Sequence, residues 1–384
     1  MHTKGKWRIT VKSSFRLGRI AGIEIGIHYS WLLVFVLIAW SLAQGFFPEY
    51  YPGWDLATYW ITGVLAALFL FVSVLVHELA HSLVAIARGL PVHGITLFIF
   101  GGVSRIAGEP EKPRVEFAMA VVGPLASLAL AGIFWGFHQI VGEQDSPLAA
   151  MLFYLALINA LLAGFNLIPG FPLDGGRILR SIIWGATGNL TRATNIAAMI
   201  GRFFGWGLVG FGIFQLFSGN FLGGIWIAFI GWFLSNAADA SRREITVRGR
   251  LAGVPVRAVM DQSSETISPQ TLVEQLVQDI FLRRRRRAAA VYQDDRLVGI
   301  VTITDVKGLP QQKWAETPVM EIMTREPLYS IGVDNDLNEA LKLLVQHELN
   351  QLLVLEEGRL AGFLNRADII RYLQLSQELG MKSR

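Results

Sequence analysis

Long apolar runs alternate with short polar connections up to about residue 240, and shorter, more mixed stretches follow. A run of roughly 20 apolar residues is long enough to cross the hydrocarbon core of a bilayer as a helix. We therefore expect a polytopic α-helical membrane domain of six transmembrane helices, followed by an α/β domain. The six predicted helices cover residues 27–46, 57–87, 115–141, 148–168, 196–217 and 221–238.

The last part of the chain repeats a pattern at a spacing of about 60 residues. One copy opens at Val256 and ends near Asp305, and the other opens at Val319 and ends near Asp368. In each copy a helix precedes two strands, and a polar turn connects the strands. The predicted segments are an N-terminal arm at 1–26, the membrane domain at 27–240, a linker at 241–252, the two repeats at 253–310 and 311–376, and a tail at 377–384.

The polar connections predict how the membrane domain is oriented. Lys and Arg are concentrated in the N-terminal arm and after the second, fourth and sixth predicted helices. The connections after the first and third helices carry only acidic charges, at Glu49, Asp55, Glu143 and Asp145. Since basic loops stay on the cytoplasmic side, we expect the N-terminus and the C-terminal domain to be cytoplasmic, in a multi-pass protein of the cell (inner) membrane.

Composition limits the chemistry that the chain can carry. Of its 384 residues, 52% are hydrophobic and only 17% are charged, which is typical of a membrane protein. The chain has no Cys, so it forms no disulfide, and a metal ion must be bound through His, Asp or Glu. The formal net charge of +4 comes from the basic connections and does not predict binding to nucleic acid.

The apolar sequence of the second predicted helix contains three ionisable residues, His77, Glu78 and His81. Such residues are costly inside a membrane and by default mark function. Because residues four apart share one face of a helix, the two imidazoles can bind one metal ion. The Glu beside the first His can take a proton from metal-bound water. The segment therefore predicts metal-dependent hydrolysis of a peptide bond inside or beside the bilayer.

A third metal ligand should come from another element, because zinc in hydrolases usually has three protein ligands and one water. The best candidate is Asp174, which follows the fourth predicted helix in a segment that contains Pro169, Pro172 and a pair of Gly residues. Those residues prevent a continuous helix and would turn the chain inward.

The connection between the second and third predicted helices is too polar to cross the membrane. Residues 92–106 are rich in β-forming types and are interrupted at Gly101 and Gly102. We expect a short hairpin or re-entrant strand, whose free edge could pair with an extended substrate. The alternative is an ordinary cytoplasmic loop.

Other interpretations of the His-rich helix remain open at this point. One alternative is a buried His pair stabilised by Glu78. It would leave the Glu78 carboxylate unpaired in an apolar helix, which costs free energy. A metal transporter or sensor gated by the C-terminal repeats would use the same ligands, and an inactive scaffold would bind peptides without cutting them. Replacing Glu78 by Gln should stop proteolysis, whereas transport could continue.

Three motifs together resemble the site-2 protease family of intramembrane zinc metalloproteases, in the subgroup with C-terminal CBS domains. They are His77–His81, the Phe100-Gly101-Gly102 stretch, and the segment from Asn166 to Arg177. The resemblance implies that His77, His81 and Asp174 bind one zinc ion per chain and that Glu78 is the catalytic base. It implies that Asn166 positions the substrate or stabilises the oxyanion.

The same resemblance implies the kind of substrate. It is a single-span membrane protein, such as an anti-sigma factor or a membrane-tethered transcription factor, cut near the cytoplasmic side of the membrane. The connection at 88–114 is too short for the PDZ domain that some members of the family carry there.

The repeats resemble CBS domains, which implies binding of an adenine nucleotide (ATP, ADP or AMP) and pairing of two chains through these domains. By resemblance the nucleotide-binding positions are Thr302 and Asp305 in the first repeat and Asp368 in the second. Three residues before Asp368, Asn365 takes the place of the usual Ser or Thr. The alternative is a purely structural pair of domains. Five consecutive Arg residues at Arg283–Arg287 predict a solvated loop, or attraction to lipid head groups or nucleotide phosphates.

Overall fold

The computed structural model describes residues 15–99, 101–106, 108, 110–141, 145–262, 265–294, 296–347 and 349–379. Phe100 and Glu143 lie outside these residues, as do residues 1–14 of the predicted arm and 380–384 of the predicted tail. The chain divides into two units, Met1–Arg243 and Glu244–Arg384. The domain bounds given above stay predictions.

The first unit begins with strands that the sequence analysis did not predict. Strands β1 (Phe15–Ile20) and β2 (Ile23–Ile27) join a hairpin of β3 (Val92–Phe98) and β4 (Gly101–Ile106) in one sheet of order β1-β2-β3-β4. β2 runs parallel to β3, and the other neighbours are antiparallel. The hairpin or strand predicted within 92–106 is therefore present, and β4 forms an edge of the sheet.

The other long elements described in the first unit are helices. Five helical segments are long and apolar enough to cross a membrane, among the residues that the structure describes. The first, Ser30–Tyr50, comprises α1 (Ser30–Ser41), a π-helical stretch (Leu42–Phe46) and α2 (Phe47–Tyr50). The others are α3 (Leu56–Ala87), α4 (Pro113–Ile140), α5 (Pro147–Asn166) and α7 (Leu190–Phe217).

Two further helices are not among these five segments. The short α6 (Asp174–Thr187) connects α5 to α7 in the chain, and α8 (Phe221–Leu251) contains the sixth predicted span. The fold class is confirmed as a membrane domain of several helices followed by an α/β domain, while the exact count of six stays a prediction.

Local sequence signals explain where the membrane helices begin. Asp55 caps α3 because its carboxylate accepts hydrogen bonds from the Thr58 side chain at 2.7 Å and backbone N–H at 3.0 Å. These bonds hold the pKa of Asp55 below its usual value. Helices α4 and α5 each start with a Pro, whose missing N–H is not needed in the first turn.

Helix α3 uses different faces for the sheet and for α4. Ile23, Ile25 and Ile95 on one face of the sheet form a buried cluster against Leu75 and Leu79 of α3. The alternation of these Ile residues with polar or small neighbours is the two-residue period of a half-buried strand. The His77 and His81 side chains point instead toward α4, as described in the next subsection.

The second unit contains two three-stranded sheets, each with helices. The first sheet has the order β5-β6-β7 and the second β10-β9-β8. The first repeat comprises β5 (Thr266–Ile267), α9 (Val273–Gln275) with the π-helical Leu276–Arg283, β6 (Ala288–Gln293), β7 (Arg296–Thr302) and α10 (Ile303–Lys307). The second comprises β8 (Ser330–Gly332), α11 (Leu337–Gln346), β9 (Gln351–Glu356), β10 (Arg359–Asn365) and α12 (Arg366–Glu378).

The two repeats exchange their opening segments. Val256 opens the first repeat, yet its N–H donates to Asn335 O at 2.9 Å and its side chain is buried in the core of the second. Val319 opens the second repeat, and its N–H donates to Thr271 O at 2.8 Å while its side chain is buried in the core of the first. Each core is therefore completed by a residue of the other repeat.

Candidate active site

The structure brings together the three residues that the sequence analysis proposed as metal ligands. His77 and His81 lie on one face of α3, and Asp174 is the first residue of α6. Asp174 Oδ2 lies 3.1 Å from Nε2 of each His, and the two Nε2 atoms are 3.1 Å apart. All three residues are buried. Their donor atoms thus form an almost equilateral triangle.

This triangle fits a zinc ion. Zinc binds His nitrogen and carboxylate oxygen at about 2.0–2.2 Å, which places neighbouring ligands of a tetrahedron roughly 3.3 Å apart. Two imidazoles and one carboxylate are a donor set of catalytic zinc sites, and three protein ligands leave the fourth position for water or substrate. Since zinc needs no thiolate, the absence of Cys is no obstacle.

Contacts to α4 orient both imidazoles. His81 Nδ1 donates to Met119 O at 2.6 Å, and His77 Nδ1 lies 3.0 Å from Ser127 Oγ. Such a bond on one ring nitrogen fixes the tautomer and turns the other nitrogen toward the metal position. The sequence analysis missed both partners. Ser127 is an ordinary residue in an apolar helix, and Met119 contributes only its backbone carbonyl.

Gly123 of α4 faces the same two side chains. A Cβ at this position would collide with His81 Nε2 and lie 2.8 Å from His77 Nε2. A side chain here would therefore occupy the space next to the donor atoms. The glycine lies four residues after Met119 and four before Ser127, so all three positions share one face of α4.

Glu78 projects beside this group and contacts strand β4. Ser104 Oγ donates to Glu78 Oε2 at 2.9 Å, and Ser82 Oγ lies 3.0 Å from Ser104 Oγ. A Cβ on Gly102 would collide with Glu78 Cγ. The glycine therefore allows the edge strand to approach the carboxylate, which has one oxygen held by the strand.

Gly101 and Asn166 complete the predicted site of the first unit. Gly101 begins β4 with a φ of 122°, a backbone conformation that favours glycine. Asn166 ends α5, and its amide nitrogen donates to Leu162 O of the same helix at 3.0 Å. The structure places Asn166 at the start of the loop that leads to Asp174, and its role in catalysis stays a prediction.

The loop before Asp174 is packed through glycines. A Cβ on Gly175 would collide with Leu167 O and Ile168 O, and a Cβ on Gly176 would collide with the backbone of Gly170 and Phe171. The start of α6 therefore lies directly on the preceding loop, with no room for side chains between them. This close packing turns Asp174 back toward α3.

In the second unit, the predicted nucleotide-binding residues cap two helices. Thr302 N and Oγ1 donate to Asp305 Oδ2 at 2.7 and 2.8 Å, at the start of α10. Asp368 Oδ2 accepts from Asn365 N and Nδ2 at 3.1 and 3.0 Å, at the start of α12. Asn therefore serves the second repeat as a substitute for Thr in the same motif.

Carboxylates pair with three of the five consecutive Arg residues. Arg283 pairs with Asp279 at 3.0 Å, Arg284 with Glu265 at 2.5 Å, and Arg286 with Asp261 at 2.5 Å. These partners lower the charge that the segment can offer to lipid head groups or phosphates. Arg285 has a φ of 54° and is exposed at the turn.

Comparison with known proteins identifies both parts of the chain. The model of Peptidase family M50 matches residues 65–146 and 139–208, and the model of the CBS domain matches 256–310 and 319–375. A Synechocystis protein that carries the name of a zinc metalloprotease is 35% identical over 375 residues, covering 95% of this chain and 97% of that protein. Rip3 of Mycobacterium tuberculosis, which carries the same kind of name, is 33% identical over 373 residues, covering 95% and 94%.

Among solved structures, the site-2 protease from Methanocaldococcus jannaschii is 32% identical. The match covers 60% of this chain and 95% of that chain, with a TM-score of 0.42. The two curated relatives extend over nearly the full length of both chains. The chain therefore belongs to Peptidase family M50, as a zinc metalloprotease of the site-2 protease type with membrane-spanning helices and a C-terminal pair of CBS domains.

Proposed function

We propose that the protein hydrolyses a peptide bond within or near the transmembrane segment of a single-span membrane protein. The observation that carries this proposal is the convergence of His77, His81 and Asp174 beside Glu78, at the edge strand β4. Residues for metal binding, for proton transfer and for holding an extended peptide thus lie within one region of the membrane unit.

His77, His81 and Asp174 would hold one zinc ion per chain. Zinc bound there supplies Lewis acidity, which makes a water nucleophilic near neutral pH and stabilises negative charge on the attacked carbonyl oxygen. The hydrogen bonds that His77 Nδ1 makes with Ser127 Oγ and His81 Nδ1 donates to Met119 O orient the imidazoles before the metal binds, so little reorganisation is needed.

Glu78 acts as the general base in this proposal. Its carboxylate takes a proton from the attacking water as the oxygen bonds to the scissile carbonyl carbon, and it returns the proton to the amine as the C–N bond breaks. Ser104 holds one carboxylate oxygen, which leaves the other for the water. Asn166 would position the substrate or donate a hydrogen bond to the oxyanion.

Strand β4 provides a place to hold the substrate extended. It is an edge of the sheet, so one side of its backbone has no strand partner within the described residues, and an unwound peptide could add there as a further strand. Gly101 and Gly102 would contact the peptide. A helical substrate hides its peptide bonds, so such pairing would favour the unwound form that can be cut.

The substrate class and orientation extend the proposal. An anti-sigma factor or a membrane-tethered transcription factor would suit a site that cuts near the cytoplasmic face. Because the chain has no Cys, single Cys residues can report the topology on a natural background. In inside-out vesicles a membrane-impermeant maleimide should label Ser330→Cys but not Glu49→Cys, and labelling in the reverse sense would contradict the orientation.

The CBS pair is proposed to bind an adenine nucleotide and to regulate cleavage. The capping bonds use Oδ2 of Asp305 and Asp368, so Oδ1 of each carboxylate could accept a hydrogen bond from a ribose hydroxyl. Titration calorimetry with ATP, ADP and AMP should detect binding that Asp305→Asn weakens. Light scattering with and without nucleotide tests whether two chains pair through this unit.

The first experiment is cleavage of a single-span test protein by purified enzyme in detergent or proteoliposomes. Wild type, Glu78→Gln and chelator-treated enzyme are compared. Cleavage should be lost in the last two, while Glu78→Gln keeps its zinc. Metal-dependent transport that survives Glu78→Gln, without cleavage, would favour the transporter, and cleavage unaffected by chelation would contradict a zinc site.

A further inference from the structure

A buried ion pair joins α4 to α6, the helix that begins with Asp174. Glu116 in the first turn of α4 is fully buried, and Arg180 of α6 is 7% exposed. Arg180 Nε donates to Glu116 Oε1 at 2.6 Å, and Arg180 Nη2 contacts the same oxygen. Because an unpaired charge is expensive away from water, this contact strongly favours one arrangement of the two helices.

Arg180 also contacts the loop that precedes Asp174. Its guanidinium carbon lies 5.0 Å from the centre of the Phe171 ring. Phe171 N in turn donates to Ala197 O of α7 at 3.1 Å. Phe171 lies three residues before Asp174 and Arg180 six residues after it, so Arg180 links the backbone on both sides of the carboxylate.

The partner helix α4 holds one of the other proposed ligands. Met119 lies three residues after Glu116 and accepts the hydrogen bond from His81 Nδ1. A closed circuit of contacts results, from His81 to Met119, along α4 to Glu116, across to Arg180, and back through α6 to Asp174. Asp174 Oδ2 completes it at 3.1 Å from His81 Nε2.

We propose that the Glu116–Arg180 pair positions Asp174 for metal binding by fixing the start of α6 against α4. This inference rests on the proposed function, in which Asp174 is the third zinc ligand. Neither member of the pair touches the metal position, so both are positioning residues. Without the pair, Asp174 is still held by the loop, but α6 can shift relative to α4 and enlarge the triangle of donor atoms.

The test measures zinc affinity of the purified full-length protein by competition with a chromophoric chelator. Glu116→Gln removes the charge, and Arg180→Lys keeps the charge but loses the geometry of the guanidinium. Arg202→Gln is the matched control, because Arg202 pairs with Asp239 at 3.6 Å and is about half exposed. We expect zinc affinity to fall about 10–100-fold in the first two variants and to be unchanged in the control.

Combining Glu116→Gln with Asp174→Asn tells positioning apart from a general loss of stability. If Glu116 acts through Asp174, Glu116→Gln causes no further loss of zinc affinity in a protein that already carries Asp174→Asn. The absorption spectrum of bound Co²⁺ should also change in Glu116→Gln and Arg180→Lys, since it reports ligand geometry. Should Glu116→Gln fail to fold, Arg180→Lys carries the test.

Two results would overturn the inference while the proposed function stands. One is wild-type zinc affinity and an unchanged Co²⁺ spectrum in Glu116→Gln and Arg180→Lys. The other is that Glu116→Gln lowers zinc affinity by the same factor whether or not Asp174→Asn is present. Wild-type affinity in Asp174→Asn alone would instead reject Asp174 as a ligand, and both proposals with it.

Discussion

Ser104 Oγ lies 2.9 Å from Glu78 Oε2, and this hydrogen bond joins the edge strand β4 to the helix that carries two proposed metal ligands. A hydrogen bond to a charged group contributes roughly 1.5–3 kcal/mol. Ser104→Ala should therefore lower kcat about tenfold or more through a mobile Glu78, with zinc content unchanged. Ser218→Ala is the control, because the Ser218 hydroxyl donates to Phe214 O at the end of α7, away from the site. Loss of zinc in Ser104→Ala would contradict this role.

Gly123→Ala should abolish zinc binding. The added methyl would occupy the space beside His81 Nε2 and His77 Nε2. Neither ring can move aside easily, because the Nδ1 atoms are hydrogen-bonded to Met119 O and Ser127 Oγ. Zinc per chain after dialysis is the measurement. Gly132→Ala in the same helix is a close control, because a Cβ there meets nothing within 4 Å. That control should keep its zinc and gain up to about 1 kcal/mol of helix propensity. Full zinc in Gly123→Ala would mean that the site is looser than its distances indicate.

Ser127→Ala should weaken zinc binding without removing it. His77 Nδ1 loses a partner at 3.0 Å, so the ring is less well oriented, and such changes typically lower metal affinity 10–100-fold. Chelator competition measures this change. Ser241→Ala, whose hydroxyl is bonded to Ala237 O in α8, should bind zinc as the wild type does. Equal affinities in all three proteins would show that Ser127 does not orient His77.

Val319→Ala should destabilise the first CBS repeat although Val319 opens the second. Its side chain is buried in the core that contains Val273 and Leu276. Removing two buried methyl groups costs about 2 kcal/mol. Hydrogen exchange on the full-length protein should therefore speed up in β6 and β7 more than in β9 and β10. Faster exchange confined to the second repeat would contradict the exchange of segments.

The pattern of the sequence predicted the membrane domain and the convergence of three side chains. Two His residues four apart must share a face of a helix, and the breaks around Asp174 predicted a turn inward. These are local signals with direct geometric meaning. The two strands within residues 15–27 carry no such signal, because they are short and interrupted by Gly and charged residues.

The surroundings of the site could not be predicted in the same way. Ser127 and Gly123 matter only because one face of α4 meets α3, and a single apolar helix does not specify which face that is. Met119 acts through its carbonyl, which every residue has. The Glu116–Arg180 pair joins positions 64 residues apart, and nothing local marks either residue as buried.

Met119, Gly123 and Ser127 follow one another at intervals of four residues on the face of α4 toward the imidazoles. Each residue of an α-helix turns the chain by about 100°. Inserting or deleting a single residue between Met119 and Ser127 would rotate one end of this series away from α3, whichever amino acid was involved. The site therefore requires a fixed number of residues between Met119 and Ser127. The loops at either end of α4 can change in length without altering this spacing.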